Sequence, residues 1–415
     1  MPKLRKNVYF TAGYYTISLG SGRPEFHPKN PRPSLEDYVS EVGKAILSEI
    51  PGKASFVDEA CIGNFMASHF CKQSHLGGLI PMISPELKHK PCTRVEGACA
   101  SGGVAVTTAI KAVLSDLADV VLVMGVEVQN SVKALYGADY LAQAGHFATE
   151  RKQGDAFFFP GVFSKRAGVC FEKYGKEKTR QGMAAWYAQA IQHARTCPQA
   201  QEYSNKSENL FEDGMQKPNP SVFVENLNFL DCSKVSDGGA GILCVSEEGL
   251  RKLEIPMSKA VKLMGFGQSQ ADLTKAPEDM TNLTNSAISA SNAFSMAGMK
   301  PDQIGVLEVH DCFTINGLLM LQAGGFVKEG EAAPFVLAKE TSLAGSLPCN
   351  TTGGLIGYGH PTGATGVRQV VDIWKQLTLQ SGKSQASSIA QKPFGMTINM
   401  GGNDKTSVSI ILGKP

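Results

Sequence analysis

The feature that most constrains the fold of this chain is a sequence pattern that occurs twice. Residues 99–106 (CASGGVAV) and residues 360–367 (HPTGATGV) both follow glycine-rich approaches, and both are typical of a helix start. Each is followed later by a glycine-rich turn and an apolar final strand, at residues 236–245 and at residues 399–412. The repeat predicts two related halves that pack together and bring the two helix N-termini to one cleft.

Helical and strand patterns alternate around this repeat. Residues 34–49 place apolar side chains at helical spacing behind Ser34, a suitable N-cap, and residues 101–117 form a second helical pattern. Residues 119–127 (DVVLVMGVE) are a near-continuous apolar run, typical of a strand covered on both faces, and residues 8–18 resemble a first core strand. This alternation predicts a layered α/β fold.

The two halves differ in length. In the first half 136 positions separate Gly102 from Gly238, whereas in the second 38 positions separate Gly363 from Gly401. The first half therefore carries about 100 extra residues, and residues 129–228, where the composition becomes more aromatic and charged, are interpreted as an inserted domain. The predicted division is an N-terminal half at 1–128 and 229–257, the insertion at 129–228, and a C-terminal half at 258–415.

Charge and cysteine content exclude several classes of protein. With 40 Lys and Arg against 38 Asp and Glu, the chain has no basic surplus for nucleic acid. Ten cysteines in 415 residues do not form a disulfide framework, so reduced thiols and an intracellular location are expected. No apolar run reaches the length of a membrane span. Cys61, His69, Cys71 and His75 lack a Cys-x-x-Cys pair, so no metal site is predicted.

Cys99 is the first candidate catalytic residue. It lies in residues 95–103 (VEGACASGG), at the predicted N-terminus of a helix, whose free N–H groups and dipole are expected to lower the pKa of the thiol. Neighbouring glycines allow a substrate to approach the backbone closely. The alternative is that Cys99 serves only as a small buried apolar side chain, as most free cysteines do.

Four further residues complete the predicted site. His360 lies in a glycine-rich turn before a helix, and a pKa near neutrality would suit it as the base for a cysteine, unless it merely caps backbone groups. His310 and Cys312 follow the predicted strand 304–309, where ligand sites of parallel sheets collect, and a thiol of near-neutral pKa could transfer protons there. Gly401 lies in a turn that can direct its N–H at an oxyanion.

These segments together resemble the thiolase family, and specifically its sterol carrier protein type. The resemblance covers nearly the whole chain. Most thiolases have Asn-Glu-Ala-Phe where this chain has His-Asp-Cys-Phe, and they carry a second catalytic cysteine at the position of Asn399. The segments that carry the resemblance are residues 97–102 (GACASG), 235–239 (VSDGG), 310–313 (HDCF) and 359–366 (GHPTGATG).

The resemblance implies both a fold and a reaction. The fold has α-β-α-β-α layers in two pseudo-repeated halves, with an inserted loop domain that binds coenzyme A. The reaction is thiolytic cleavage of 3-oxoacyl-CoA to acyl-CoA and acetyl-CoA or propionyl-CoA, or the reverse Claisen condensation, through acyl-Cys99. His360 is implied to take the proton of Cys99, while the N–H groups of Cys99 and Gly401 hold the oxyanion. His310 and His360 would hold the enolate oxygen, and Cys312 would protonate the enolate carbon.

The resemblance also implies partners and a cellular setting. The ligands are 3-oxoacyl-CoA, coenzyme A and acetyl-CoA, with coenzyme A as a substrate and no resident cofactor; individual coenzyme A contacts are not assigned. A homodimer or homotetramer is expected. Lipid metabolism, such as fatty acid β-oxidation in a mitochondrial or peroxisome-type matrix, is the implied setting, although the sequence carries no clear targeting signal.

Two other functions compete with this prediction. A condensing enzyme of the ketoacyl synthase type also uses a cysteine with two histidines, or with a histidine and an asparagine, but the second cysteine, Cys312, argues against it. A thiolase-like protein that binds acyl-CoA without catalysis is the other alternative. The joint presence of Cys99, His310, Cys312 and His360 argues against that one.

Overall fold

The computed structural model describes residues 4–27, 29–151 and 156–415. Within these ranges nine strands form one mixed sheet in the order β3-β2-β4-β5-β1-β6-β9-β8-β7. The strands are β1 Val8–Tyr15, β2 Glu59–Gly63, β3 Cys92–Val95, β4 Val120–Glu127, β5 Gly238–Ser246, β6 Val261–Gln270, β7 Val306–Val309, β8 Phe394–Gly401 and β9 Thr406–Gly413.

Thirteen α-helices accompany the sheet in the described part of the chain, and none of them is long and apolar enough to cross a membrane. Four of them, α4 to α7, fall within residues 129–228. The helices are α1 Leu35–Ser48, α2 Ala67–Phe70, α3 Ser101–Leu114, α4 Ala134–Leu141, α5 Phe158–Tyr174, α6 Lys176–Ala194, α7 Leu210–Gly214, α8 Glu247–Leu253, α9 Thr284–Ala297, α10 Thr314–Ala323, α11 Ala332–Leu337, α12 Gly354–Gly357 and α13 Thr362–Leu377.

The sheet consists of two half-sheets that meet at a narrow junction. β1 pairs with β5 along most of its length but with β6 only at Tyr9–Lys262 and Phe10–Val261. In one half-sheet β2 pairs in parallel with β3 and β4, and in the other β7 pairs in parallel with β8. The remaining pairs are antiparallel. Residues 8–246 thus supply the strands of one half-sheet and residues 261–413 those of the other, and the two half-sheets are joined at one edge.

Helices and half-sheets alternate in layers. α1 covers one face of the first half-sheet, where it contacts β1, β4 and β5, and α9 covers the outer face of the second, against β6, β8 and β9. α3 and α13 lie between the half-sheets: α13 contacts β4 and β5 on one side and β7 and β8 on the other. Their buried Val, Ala and Ile side chains form one core with the strands. The predicted layered fold is confirmed.

The predicted elements are present with slightly different ends. Ser34 caps α1 as expected, since its hydroxyl accepts from the N–H of Asp37. α3 ends at Leu114 rather than at residue 117, because Asp116 adopts a left-handed conformation (φ 63°) that a helix cannot continue through.

The middle layer depends on close contact between α3 and α13. A Cβ atom at Gly102 would lie 2.8 Å from the carbonyl oxygen of Gly363, and one at Gly366 would clash with the backbone nitrogen of Gly103. The two helices thus touch backbone to backbone, which larger residues would prevent. This contact brings the beginnings of the two helices, and hence Cys99 and His360, to the same place.

Replacing Gly366 with alanine is expected to lower the free energy of unfolding by about 2–4 kcal/mol, because the added methyl group meets backbone that cannot move away. Chemical denaturation measures the effect. Gly137→Ala is the matched control, since Gly137 is also helical and buried but its Cβ would lie 3.5 Å from Phe70, an ordinary contact. Equal stability changes in the two variants would contradict the proposed helix contact.

Candidate active site

Cys99 lies in a tight turn between β3 and α3. Ala98 adopts a left-handed conformation (φ 53°), which is unusual for a residue with a side chain. The hydroxyl of Ser101 stabilises the turn, because it accepts from the N–H of Gly97 at 3.0 Å and donates to the carbonyl of Ala98 at 2.6 Å. Cys99 is half-buried and lines a cavity. The turn therefore holds the thiol at the start of α3, as the sequence predicts.

His360 lies two residues before the first residue of α13 and lines the same cavity. Its backbone N–H donates to the Ser236 hydroxyl at 2.9 Å, and its carbonyl accepts from the side chain of Gln129 at 2.9 Å. Its Nδ1 lies 2.7 Å from the hydroxyl oxygen of Thr365, whereas Nε2 is buried and has no hydrogen-bond partner among the described residues. One ring nitrogen is thus held by the protein, and the other is available for chemistry.

The segment after β7 supplies His310 and Cys312. The ring of His310 lies 5.0 Å from that of His360, nearly perpendicular at 86°. Cys312 lines the cavity. The side chain of Asp311 lies elsewhere, where it accepts from Trp186 Nε1 at 2.9 Å and from the N–H of Leu355 at 2.6 Å. Asp311 therefore stabilises the turn and leaves its two neighbours to face the cavity.

The reactive atoms converge. The sulfur of Cys99 and one nitrogen each of His310 and His360 all lie within 4.8 Å of one another, as the only such donor group in the described residues that could hold a metal ion. They lie in a cavity of about 190 Å³ whose remaining lining is mainly apolar. The lining residues are Cys99, Ala134, Ala138, Leu141, Phe157, Phe158, Phe159, Pro160, Phe163, Cys232, Ser233, Val235, His310, Cys312, Phe313, His360, Thr362 and Gly402.

The protonation of the site differs from the expectation based on the helix N-terminus. Burial, and next the nearby Glu127, raise the pKa of the Cys99 thiol to about 12, although the N–H groups of Gly402 and of Cys99 itself act in the opposite direction. Burial, and next the Arg368 guanidinium, lower the pKa of His360 to about 3. The predicted low thiol pKa is therefore wrong, and the thiol and the imidazole are both neutral.

The other two side chains are neutral as well. Burial, and next His360 and Arg368, hold the pKa of His310 well below its usual range. Burial, followed by the neighbouring Cys99 and Asp311, raises the pKa of Cys312 well above that of a free thiol. The expectation of a near-neutral pKa at Cys312 is not met, and the residue is a protonated thiol that can act as an acid.

Alkylation of Cys99 by iodoacetamide is expected to accelerate steadily from about pH 6 to about pH 9, because the thiolate fraction rises tenfold per pH unit below a pKa of about 12. Mass spectrometry of the Cys99 peptide after timed alkylation measures the rate, with glutathione in the same tubes as a reference thiol. A plateau beginning near pH 7 would contradict the raised pKa.

The glycine turn after β8 packs against the Cys99 loop. A Cβ atom at Gly401 would clash with the carbonyl oxygen of Gly97, so only glycine allows this approach. Gly402, rather than Gly401, lines the cavity and directs its N–H toward the sulfur. Arg166 stabilises the turn by donating to the side-chain oxygen of Asn403 at 2.8 Å. The structure places this turn beside Cys99, while an oxyanion role for the Gly401 N–H stays a prediction; the sequence pattern did not identify Gly402.

Glu127 is a second residue near the site that the sequence pattern did not identify. This buried carboxylate at the end of β4 accepts from the backbone N–H groups of Phe65 and Met66, at 2.8 and 3.0 Å. It also accepts from the hydroxyl of Thr362 at 2.8 Å and from the N–H of Gly363 at 3.0 Å. Glu127 therefore ties the first half to the beginning of α13. An acidic residue at the end of an otherwise apolar strand was the signal available in the sequence.

Comparisons with known proteins identify the family. The family model for the N-terminal domain of thiolase matches residues 32–248, and a model described as thiolase C-terminal domain-like matches residues 267–414. An acetyl-CoA acetyltransferase of Methanothermobacter thermautotrophicus is 34% identical over 382 residues, 92% of this chain and 95% of that protein. Human sterol carrier protein 2 is 29% identical over 367 residues, 84% of this chain and 63% of that protein.

A solved structure supports the fold. The Ltp2-ChsH2(DUF35) aldolase superimposes with a TM-score of 0.79 at 22% identity, over 99% of this chain and 98% of that chain. At this identity the likeness concerns the fold alone, since one fold can host different chemistries. The two family models and the archaeal and human relatives carry the assignment, and they confirm the predicted thiolase-like fold and the resemblance to the sterol carrier protein type. This chain belongs to the thiolase family of acyltransferases.

Proposed function

We propose that this enzyme cleaves 3-oxoacyl-CoA thioesters with coenzyme A, giving a shortened acyl-CoA and acetyl-CoA or propionyl-CoA, or catalyses the reverse Claisen condensation. The observation that carries the proposal is the convergence of Cys99, His310 and His360 within 4.8 Å, beside the Cys312 thiol in one apolar cavity. Two thiols and two imidazoles supply a nucleophile, a base, a hydrogen-bond donor and an acid. A ketoacyl synthase type of enzyme has no comparable use for Cys312.

The first half of the proposed reaction forms the acyl-enzyme. His360 Nε2 takes the proton of Cys99 as the sulfur attacks the 3-oxo carbon, and the carbonyl electrons move to the oxygen. The N–H groups of Cys99 and of the Gly401–Gly402 turn hold that oxyanion. Because the free thiol has a high pKa, proton transfer accompanies attack and no resting ion pair is required.

The C–C bond then breaks. Its electron pair becomes an enolate on the leaving thioester, whose oxygen is held by His310 and His360. Cys312 donates its proton to the enolate carbon, which releases acetyl-CoA or propionyl-CoA. A second coenzyme A gives its thiol proton to the Cys312 thiolate and attacks the acyl group on Cys99. His360 returns its proton to Cys99, so the enzyme ends the cycle unchanged.

The cavity favours an apolar acyl chain. Besides the four reactive side chains, it is lined by five phenylalanines and several aliphatic residues, and Phe163 and Phe313 stack with ring centroids 4.4 Å apart. Apolar surface of this kind binds hydrocarbon and excludes water from the acyl-enzyme. We place coenzyme A at the inserted residues 129–228, which contribute most of the aromatic lining, and propose assembly as a homodimer or homotetramer.

A thiolysis assay tests the function. Purified protein is incubated with coenzyme A and 3-oxoacyl-CoA thioesters of several chain lengths, and the products are separated by mass spectrometry. Paired formation of shortened acyl-CoA and acetyl-CoA, with ping-pong kinetics and an acyl adduct on the Cys99 peptide, is expected. Condensation that requires decarboxylation of malonyl-CoA would favour a condensing enzyme. Binding without any turnover would favour a non-catalytic protein.

A further inference from the structure

Each of the two histidines of the cavity is hydrogen-bonded through its Nδ1 atom, His310 to an amide nitrogen and His360 to a hydroxyl oxygen. Nδ1 of His310 lies 3.1 Å from the side-chain nitrogen of Asn399, and Nδ1 of His360 lies 2.7 Å from the hydroxyl oxygen of Thr365. A neutral imidazole carries one proton, so the type of its partner decides which nitrogen is protonated. Neither Asn399 nor Thr365 is needed as a reactive group in the proposed reaction.

The orientation of the Asn399 amide is fixed by backbone on both sides. Its oxygen accepts from the N–H of Gly103 at 3.1 Å, and its nitrogen donates to the carbonyl of Cys99 at 3.3 Å. A reversed amide would oppose oxygen to oxygen and N–H to N–H. The nitrogen therefore faces His310 as a donor, and Nδ1 of His310 has to accept.

The Thr365 hydroxyl is constrained in the same way. Its one hydrogen is donated to the carbonyl of Pro361, 3.1 Å away, as is usual for a threonine one turn into a helix. In this arrangement the oxygen accepts and Nδ1 of His360 donates. This places the lone pair of His360 on Nε2, the buried nitrogen without a partner.

We propose that Asn399 and Thr365 are positioning residues that hold the two histidines in opposite neutral tautomers. His310 carries its proton on Nε2 and presents a hydrogen-bond donor to the cavity, whereas His360 carries its proton on Nδ1 and presents a base. The catalytic role of the two tautomers rests on the proposed function, because thiolysis requires a base for Cys99 and a hydrogen-bond donor for the enolate oxygen. The tautomer assignment itself is argued from the hydrogen-bond partners and does not depend on the reaction.

Burial makes this arrangement effective. The pKa values of both histidines lie below the ordinary range, so each ring is neutral near neutral pH and a single proton distinguishes donor from base. The arrangement also explains why an asparagine suits position 399, where its amide makes three hydrogen bonds. A thiol at this position could not donate to both His310 and the carbonyl of Cys99 while accepting from Gly103.

Nuclear magnetic resonance tests the tautomers without reference to activity. In protein labelled with ¹⁵N in its eight histidines, two- and three-bond proton–nitrogen correlations distinguish the two tautomers. His310→Asn and His360→Asn assign the signals. The expected result is an Nε2–H form for His310 and an Nδ1–H form for His360 near pH 7. The same tautomer at both residues, or a charged ring at either, would overturn the proposal.

Substitutions of Thr365 test whether the tautomer of His360 affects catalysis. Thr365→Val removes the acceptor and is expected to lower kcat for thiolysis by roughly 10²–10⁴-fold with little change in KM, because His360 loses its fixed tautomer. Thr365→Ser keeps the hydroxyl and should restore most of the rate. Thr378→Val is the matched control, since the Thr378 hydroxyl also donates to the carbonyl four residues earlier, that of Trp374, and shows no hydrogen bond to a histidine in the described part of the chain.

Asn399→Asp tests the other partner. The substitution replaces the donor to His310 by an acceptor, so the His310 signal should change to the Nδ1–H form and kcat should fall by roughly 10²-fold or more. Unchanged kcat in Thr365→Val, or loss of activity in Thr365→Ser equal to that in Thr365→Val, would overturn the catalytic part. If the wild type shows opposite tautomers but no thiolysis, the proposed function fails while the tautomer assignment stands.

Discussion

The Cys99→Ala variant is expected to lose thiolysis by at least about 10⁴-fold in kcat/KM, the largest effect of any single substitution proposed for this enzyme. Without the sulfur no acyl-enzyme can form, and in the proposed mechanism both histidines already have other roles, one as a base and one as a hydrogen-bond donor. The measurements are thiolysis rates and the mass of the Cys99 peptide after incubation with 3-oxoacyl-CoA.

Cys92→Ala is the matched control for that experiment. Cys92 is also a free, half-buried thiol at the beginning of β3, a few residues before Cys99, but it does not line the cavity. It should keep activity close to that of the wild type and still acquire an acyl group on Cys99. Substantial activity in Cys99→Ala, or an acyl adduct on another cysteine, would refute the assignment of the nucleophile.

The Cys312→Ala variant is expected to separate the two halves of the reaction. Cleavage of 3-oxoacyl-CoA should fall by roughly 10²–10⁴-fold, because the enolate carbon loses its proton donor. Acyl exchange between acetyl-CoA and Cys99 breaks no C–C bond and forms no enolate, and the proton that His360 takes from Cys99 can pass directly to the departing coenzyme A thiolate. Exchange should therefore continue at a rate much closer to that of the wild type. Thiolysis rates and the exchange of isotopically labelled coenzyme A into acetyl-CoA measure the two halves independently.

Cys232→Ala identifies which thiol of the cavity supplies that proton. Cys232 also lines the cavity, and the chain beside it is bonded to the Cys312 segment through the Ser233 N–H and the Cys312 carbonyl, 2.9 Å apart. Its sulfur, however, donates to the carbonyl of Asn228 at 3.8 Å. Cleavage should therefore persist in this variant. Equal slowing of cleavage and exchange in Cys312→Ala would show that Cys312 supports the fold of the site and is not its acid.

Much of the fold was predictable because it depends on local patterns. The apolar run at β4, the capped helix α1 and the paired starts of α3 and α13 follow from side-chain periodicity and glycine placement. Errors lie at element ends, as at Asp116, where a single left-handed residue ends a helix. Such a conformation depends on the surrounding turn, which the periodicity of side chains does not report.

The sequence by itself determined the two repeated glycine-rich helix starts, which predict that Cys99 and His360 share a cleft, and its resemblance to the thiolase family implied that His310 and Cys312 join them. Only the tertiary structure decided how those groups are protonated. Burial and Glu127 raise the pKa of Cys99 despite its place before a helix, and Asn399, 300 positions from Cys99, orients His310. A pKa or a tautomer depends on burial and on partners distant in sequence, which the spacing of residues along the chain does not specify.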